Sequence, residues 1–125
     1  MAAPNIVGIS TIIGITTMLS LGDTSATVLV SNAASSGQVF KINSIIVAND
    51  DGTNTANISI AIHDAAAGGG TGYKLAHTVD VIADSTLVAI DKASSIYLEE
   101  NKSIVVTASV GGDLDVVCSY EQISD

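Results

Sequence analysis

The chain has 125 residues, enough for one domain, and is 47% hydrophobic but only 14% charged. Thirteen acidic residues against four lysines and no arginine give a net charge of −9, which argues against a nucleic-acid or anionic-membrane surface, since both need clustered cations. A typical domain has about a quarter charged residues, so this surface is unusually neutral and poorly protected against association with other subunits.

The N-terminal segment, residues 1–22, contains the only proline, Pro4, and then β-branched residues interrupted by Gly8, Gly14 and Gly22. This composition favours an extended chain. No basic region precedes the apolar run, and the run is too short and polar for a membrane span, so we expect a mature cytosolic start. We predict an N-terminal arm or edge strand over 1–22, which docks on a neighbouring subunit or surface or closes the sheet, and a β-sandwich domain over 23–125.

Two β-branched runs, residues 39–49 and 57–63, flank a segment rich in turn formers and predict a long central hairpin. In the second run, three isoleucines alternate with smaller or polar residues, which places one face in a core. The first run is apolar on both faces, with one face formed by Phe40, Ile42, Ile46 and Ala48 and the other by Ile45 and Val47. A strand of this kind lies between two layers or contacts another subunit.

Six further runs predict strands at residues 23–31, 73–81, 86–90, 95–98, 104–110 and 114–121. The last two flank Gly111-Gly112, which suits a tight turn, and predict a terminal hairpin with Val116 facing inward and Asp115 outward. Residues 64–72, DAAAGGGTG, predict a flexible loop. About eight strands without a convincing amphipathic helix predict an all-β, antiparallel sandwich of jelly-roll or Greek-key type.

The glycine-rich and acidic segments lack the motifs that would give them a binding role. The run at 68–72, GGGTG, has neither the Lys-Ser/Thr pair nor the following helix of a phosphate loop. The turn at 49–52, NDDG, lacks the ligand spacing and closing glutamate of a calcium loop. Asp113 and Asp115 flank the Gly-Gly turn, where weak cation binding between subunits stays open.

The remaining reactive side chains also form no recognisable constellation. His63 and His77 lie near strand ends without metal-ligand spacing. Cys118, the only cysteine, occupies an alternating apolar position and is interpreted as a buried small hydrophobe. We therefore predict a protein that is not an enzyme, with no catalytic, cofactor-binding or metal residues and no cofactor.

Three stretches resemble small virion structural proteins of tailed bacteriophages, particularly those that infect marine cyanobacteria. They are NAASSGQVFKINSIIVANDDGTNTANISIAI (32–62), ADSTLVAIDKASSIYLEENKSIVVTAS (83–109) and LDVVCSYEQIS (114–124). The resemblance implies a β-sandwich similar to capsid decoration (cement) proteins and to neck or tail components. The group has no motif that names binding residues, so none is carried over.

On this resemblance we expect a virion protein, made in the host cytoplasm, that decorates the assembled head and stabilises it. The expected partners are the major capsid protein or other virion proteins and further copies of the chain, with a trimer taken as the assembly; nucleic acid and membrane are not expected. The alternative is a neck or tail component, or a glycan- or receptor-binding module of a head or tail fibre. Sugar sites usually use exposed aromatic rings, and the four aromatics of this chain favour the first interpretation.

Overall fold

A computed structural model describes residues 4–125 and shows nine strands in two antiparallel sheets that pack face to face. The strands are β1 Thr11–Leu21, β2 Thr27–Asn32, β3 Gln38–Asn49, β4 Ala56–His63, β5 Gly72–Val81, β6 Thr86–Ile90, β7 Ile96–Leu98, β8 Lys102–Ala108 and β9 Leu114–Ser124. Two single 3-10 turns cover Ala66–Gly68 and Lys92–Ser94. Between residues 4 and 125 no helix is long and apolar enough to cross a membrane.

The strand order is that of a jelly roll. Sheet A has the order β1-β9-β3-β6, with β7 also paired to β3, and sheet B has the order β2-β8-β4-β5. The chain can be followed as one antiparallel ribbon in which β1 pairs with β9, β2 with β8, β3 with β6 and β7, and β4 with β5. When this ribbon folds over into two sheets, the apolar faces of its strands meet in the core between the sheets. The all-β sandwich predicted from the sequence is confirmed.

Both predicted hairpins are wrong as pairings, although their strands are present. β3 belongs to sheet A and β4 to sheet B, and likewise β8 lies in sheet B and β9 in sheet A. The segments at 50–55 and 109–113 therefore carry the chain from one sheet to the other. Gly111 serves this crossover, because a Cβ there would lie 2.6 Å from the Gly22 carbonyl oxygen.

A β-bulge in β3 corrects the predicted faces of this strand. Ile42 pairs with Tyr120 of β9 and Ser44 with the preceding residue, Ser119, so Asn43 is the extra residue. The extra residue reverses the alternation. Ile45 and Val47 are consequently fully buried on the same face as Phe40 and Ile42, whereas Ile46 and Ala48 point away from sheet B and are half-buried.

The core is an aliphatic layer contributed by both sheets. Its fully buried members include Ile42, Ile45, Val47, Ile58, Ile60, Ile104, Val106, Leu114 and Val116. The alternations predicted for residues 57–63, 104–110 and 114–121 are therefore confirmed along most of their length. The ring of Phe40 packs on Tyr120 with a centroid distance of 5.0 Å.

Two buried asparagines satisfy backbone groups where the chain passes between the sheets. Asn32, at the end of β2, donates its side-chain amide to the carbonyls of Gln38 (3.0 Å) and Leu98 (3.1 Å). Asn49, at the end of β3, donates to the carbonyls of Asn54 and Val81, both at 2.9 Å. Because buried backbone carbonyls need partners, these two side chains fix the ends of the sandwich.

The loop at 64–72 is tied to the sheet, in contrast to the flexible loop predicted. The hydroxyl of Ser103 on β8, itself fully buried, donates to the Ala65 carbonyl and accepts the Gly68 N–H, both at 2.8 Å. The glycine content that suggested flexibility supplies instead the positive φ of Gly68 and Gly70, +75° and +66°, in a compact turn.

The first strand, β1, is an edge strand of sheet A. All eleven of its residues, Thr11–Leu21, pair in register with β9 without a bulge. The predicted arm or edge strand thus contains this strand, while residues 1–3 of the arm lie outside the described residues. The division into an arm at 1–22 and a domain at 23–125 stays a prediction.

The orientation of β9 predicts opposite tolerance at two neighbouring positions. Val116 is fully buried, so Val116→Asp should lower the free energy of unfolding by about 3–5 kcal/mol or prevent folding, because it buries an unpaired charge. Asp115→Asn, on the outer face, should change it by less than about 0.5 kcal/mol. Urea denaturation of both variants measures the difference, and equal tolerance would contradict this orientation.

The side chain of Asn49 clamps the end of β3 through its hydrogen bonds to two backbone carbonyls, and this clamp gives a second stability prediction. Asn49→Ala leaves two carbonyls and the Asp51 N–H without this partner, so we expect a loss of about 2–3 kcal/mol. Asn54→Ala removes only an exposed side chain with a 3.5 Å contact to Asp51 and serves as the matched control, with an expected change near zero. Similar losses in the two variants, measured by urea denaturation, would argue against the clamp.

Candidate interaction surface

The outer face of sheet A, turned away from sheet B, has a row of apolar side chains that crosses four strands. In register, Met18 of β1 lies beside Val117 of β9, Val117 beside Ile46 of β3, and Ile46 beside Val88 of β6. Met18 and Val88 are 73% and 55% exposed, and the two central residues are half-buried. We call these four residues the apolar row. Directly opposite residues in a sheet have touching side chains, so the row is one continuous strip.

The rows on either side of this strip contain small side chains and a single charge. One consists of Thr16, Ser119 and Ser44, of which the first two hydroxyls hydrogen-bond at 3.3 Å. The other consists of Ser20, Asp115, Ala48 and Thr86. These three rows therefore contain one carboxylate, Asp115, and have little charge to repel an uncharged partner.

At the other end of the same face, Pro4 and Ile6 border a second apolar patch. Val39 and Ile123, neighbours in register, are only 5% and 4% exposed although they lie on the outer face. Pro4 and Ile6 border Val39 in a depression of about 310 Å³. Pro4 and Ile6 thus lie beside sheet A at this end, and residues 4–125 leave Met18 and Val88 of the apolar row exposed.

The outer face of sheet B has a cleft of about 250 Å³ beneath the loop at 64–72. Its lining includes Val28, Ala61, His63, Lys74 and Val105. The cleft's lining residues, all of which belong to the described chain, include no Phe, Tyr or Trp. The cleft can hold a small polar molecule but offers no stacking surface for a sugar.

The two histidines do different things and are not brought together in a cluster. His63 Nδ1 lies 3.1 Å from the Gly69 carbonyl oxygen, and its ring lies above Gly72, where a Cβ would come within 2.7 Å of Nε2. His77 is exposed on β5. In the chain from residue 4 onward, no group of three or more His, Cys, Asp or Glu is placed to hold a metal ion.

Cys118 is fully buried between the sheets and unpaired. Burial raises the pKa of its thiol to about 12. The reactive species is the thiolate, so this side chain is protected from oxidation and exchange, as predicted for a small core residue.

The acidic turn and the β8–β9 crossover meet at one end of the sandwich. The Asp51 carboxylate accepts the N–H groups of Asn54 (2.9 Å) and Thr53 (2.7 Å), which lower its pKa. The pKa of Asp113 is raised, first by desolvation and then by the negative charges of Asp51 and Asp50. Asp51 thus stabilises its own turn. Asp113 lies near Asp50 and Asp51 because the β8–β9 crossover brings the two segments together at this end of the sandwich.

Sequence reasoning did not identify the apolar row. The alternation alone places Ile46 on the same face of β3 as Phe40 and Ile42, because the bulge at Asn43 has no sequence signal as clear as the alternation itself. The available signal was the excess of apolar residues on β3, which did predict a contact with another layer or subunit.

Comparisons with known proteins identify the fold but no family. No protein-family model and no curated protein matches the chain. A chain from Bacillus endospore appendages, described as disulfide-linked pili, is similar with a TM-score of 0.54 and 14% identity, over 94% of this chain and 91% of that chain. A chain of the acid-stable capsid of Helicobacter pylori bacteriophage KHP30 has a TM-score of 0.54 and 10% identity, over 93% and 90%.

A chain of the cyanophage Pam1 capsid covers 100% of this chain and 93% of that chain, at 12% identity and a TM-score of 0.39. This TM-score is too low to support an argument, and the specific resemblance to cyanophage proteins stays a prediction. At identities of 10% and 14%, the first two structures show a shared fold.

The paired aspartates predict opposite effects of charge removal. Because the pKa of Asp113 is raised in the folded state, its charge costs stability at neutral pH, and this cost disappears below its ordinary pKa. Asp113→Asn should therefore raise the thermal midpoint at pH 7 and leave it nearly unchanged at about pH 3. The pKa of Asp51 is lowered, so its charge stabilises the fold above its ordinary pKa, and Asp51→Asn should lower the midpoint at pH 7. Thermal denaturation at both pH values tests the signs, and a midpoint lowered by Asp113→Asn at pH 7 would contradict them.

Proposed function

We propose that the chain is a structural protein of a phage virion, and specifically a decoration (cement) protein that binds the assembled head and stabilises it. The observation that carries the proposal is the apolar row, which the described residues 4–125 leave uncovered. An extended and weakly charged strip of this kind is suited to another protein surface rather than to a soluble ligand.

The fold shared with the capsid chain of bacteriophage KHP30 supports a virion role. A role in a disulfide-linked pilus, as described for the Bacillus appendages, agrees less well with the cysteine content of this chain. The Bacillus appendages are described as disulfide-linked, whereas this chain has one cysteine, which is fully buried. Covalent linkage of this chain through native disulfides would require opening its core.

The composition agrees with a non-catalytic binding role. Contacts to a capsid would be apolar and backbone-mediated, since the chain has four lysines and no arginine for ion pairs and exposed pairs contribute little. The proposed partners are the major capsid protein, neighbouring virion proteins and further copies of the chain, and the proposed location is the virion.

A glycan- or receptor-binding module is the second candidate, and Tyr73 is the observation that favours it. Its ring is 59% exposed and borders a depression of about 150 Å³ with His63, Asp64 and Lys102. One ring beside three polar side chains is a minimal sugar site. A glycan array distinguishes the candidates, since clear sugar binding without capsid affinity would replace the decoration role.

The apolar row gives a direct test of capsid binding. Val88→Lys should weaken binding to empty capsids at least about tenfold, because it places an ammonium group in the apolar contact. Lysine is chosen because it reduces the net charge of −9, so that weaker binding cannot come from added self-repulsion. Val110→Lys, at a position 43% exposed in the β8–β9 crossover, is the matched control. Co-sedimentation measures both, and equal binding by wild type and Val88→Lys would contradict the proposal.

The salt dependence of binding and the heat stability of the particles distinguish the decoration role from ionic binding and from a neck role. An apolar contact should keep its affinity within about threefold between low and moderate salt, whereas a steered ionic contact weakens steeply. Particles lacking the protein should assemble but release DNA at a lower temperature than complete particles. Particles of unchanged robustness that fail to join heads to tails would assign the protein to the neck.

A further inference from the structure

The free edges of the two sheets differ in their protection against pairing with another strand. In sheet B, β5 is interrupted by two register shifts against β4 and carries Lys74 and Asp80, and β2 has six residues and a register shift. In sheet A, β6 and β7 have five and three residues. Charges, bulges and short length are the features that prevent edge-to-edge association.

The edge formed by β1 has none of these protections. Its eleven residues, TIIGITTMLSL, include no charge and no proline, and the pairing with β9 is regular throughout. Alternate residues of the strand direct their N–H and C=O groups away from β9. Ile12 and Met18 on the outer face and Ile13 on the inner face are all exposed.

We propose that β1 pairs antiparallel with β1 of a second copy of this chain, across a two-fold axis that passes through Thr16. The pairing joins the two A sheets into one continuous sheet and forms about ten backbone hydrogen bonds. The proposal is independent of the decoration role, and its two-fold symmetry differs from the trimer expected from the sequence.

The register follows from the shape of the strand. Thr16 is the middle residue of Thr11–Leu21, so an axis there pairs the whole strand with its copy. Met18, the most exposed residue of the apolar row, then lies opposite the partner's Gly14. Gly14 has no atom within 4 Å of the place where a Cβ would be. The long methionine side chain therefore meets open space above a glycine, and on the inner face Ile13 meets the partner's Leu19.

The distribution of charge around β1 allows a second copy of the chain to bind at this edge. Two chains with a net charge of −9 each repel one another over most of their surfaces, and β1 offers an uncharged stretch of eleven residues. The nearest acids on the outer face, Asp115 and Glu121 of β9, neighbour Ser20 and Gly14. In the proposed register Glu121 lies in line with the partner's Met18, with Gly14 between them. Asp115 lies in line with the partner's Ile12, with Ser20 between them. No carboxylate is therefore in line with another.

Light scattering coupled to size exclusion tests the interface. The wild-type chain should have the mass of a dimer at micromolar concentration. Thr16→Asp places two carboxylates directly opposite each other at the axis and should give monomers of unchanged circular dichroism. Thr86→Asp, the same change on the opposite edge strand of sheet A, should leave the dimer intact. A wild-type monomer or trimer, or a dimer unaffected by Thr16→Asp, would overturn the proposal.

Cross-linking tests the register independently of stability. The two Cβ atoms of a Thr16→Cys dimer lie about 5 Å apart, so mild oxidation should give a covalent dimer. In Ile12→Cys the two thiols lie roughly 25 Å apart along the strands and should stay unlinked. The native Cys118 is buried and gives no background. Cross-linking of Ile12→Cys, or its absence in Thr16→Cys, would exclude the axis at Thr16.

Discussion

Burial of one aliphatic layer between two sheets is the constraint on which the rest of this structure depends. Each strand contributes one apolar face to that layer, and most successive strands lie in opposite sheets. Two of the eight connections, β4–β5 and β6–β7, stay within a sheet, and the other six cross from one sheet to the other. Each crossing takes backbone polar groups past the edge of an apolar core, where they need partners. Asn32 and Asn49 supply them at two of these crossings, which is why two buried amides occur beside a largely aliphatic core.

The low proportion of charged residues leaves the outer surface open to association. Sheet A has a continuous apolar strip on its face and an uncharged strand at its edge, and the two meet at Met18. A second copy along the edge would extend the face rather than cover it, because strands add in the plane of a sheet. The face and the edge can therefore bind different partners at the same time. This arrangement suits a protein that must contact both its own copies and a larger assembly.

The interaction surface was only partly predictable from the sequence. The surplus of apolar residues on β3 indicated a second contact, but the bulge at Asn43 decides which of them face outward. Val88 and Met18 belong to short or terminal strands whose own patterns do not show which neighbours they will have. Their alignment with Ile46 and Val117 is a property of three separate pairings. No local pattern contains that information, since register is set by contacts between distant segments.

By itself the sequence determined the strands and the core faces of β4, β8 and β9, and it showed no long pattern of an amphipathic helix. These features follow from side-chain alternation with a period of two, which any strand displays locally. Only the tertiary structure decided which strands share a sheet. Gly111-Gly112 has the composition of a hairpin turn, and Gly112 does adopt a positive φ of +91°. The pair nevertheless leads from sheet B to sheet A, because β9 fills the gap between β1 and β3 while β8 fills the gap between β2 and β4. The alternation of β8 and β9 fits a hairpin and a crossover equally well, and burial of the shared core selects the crossover.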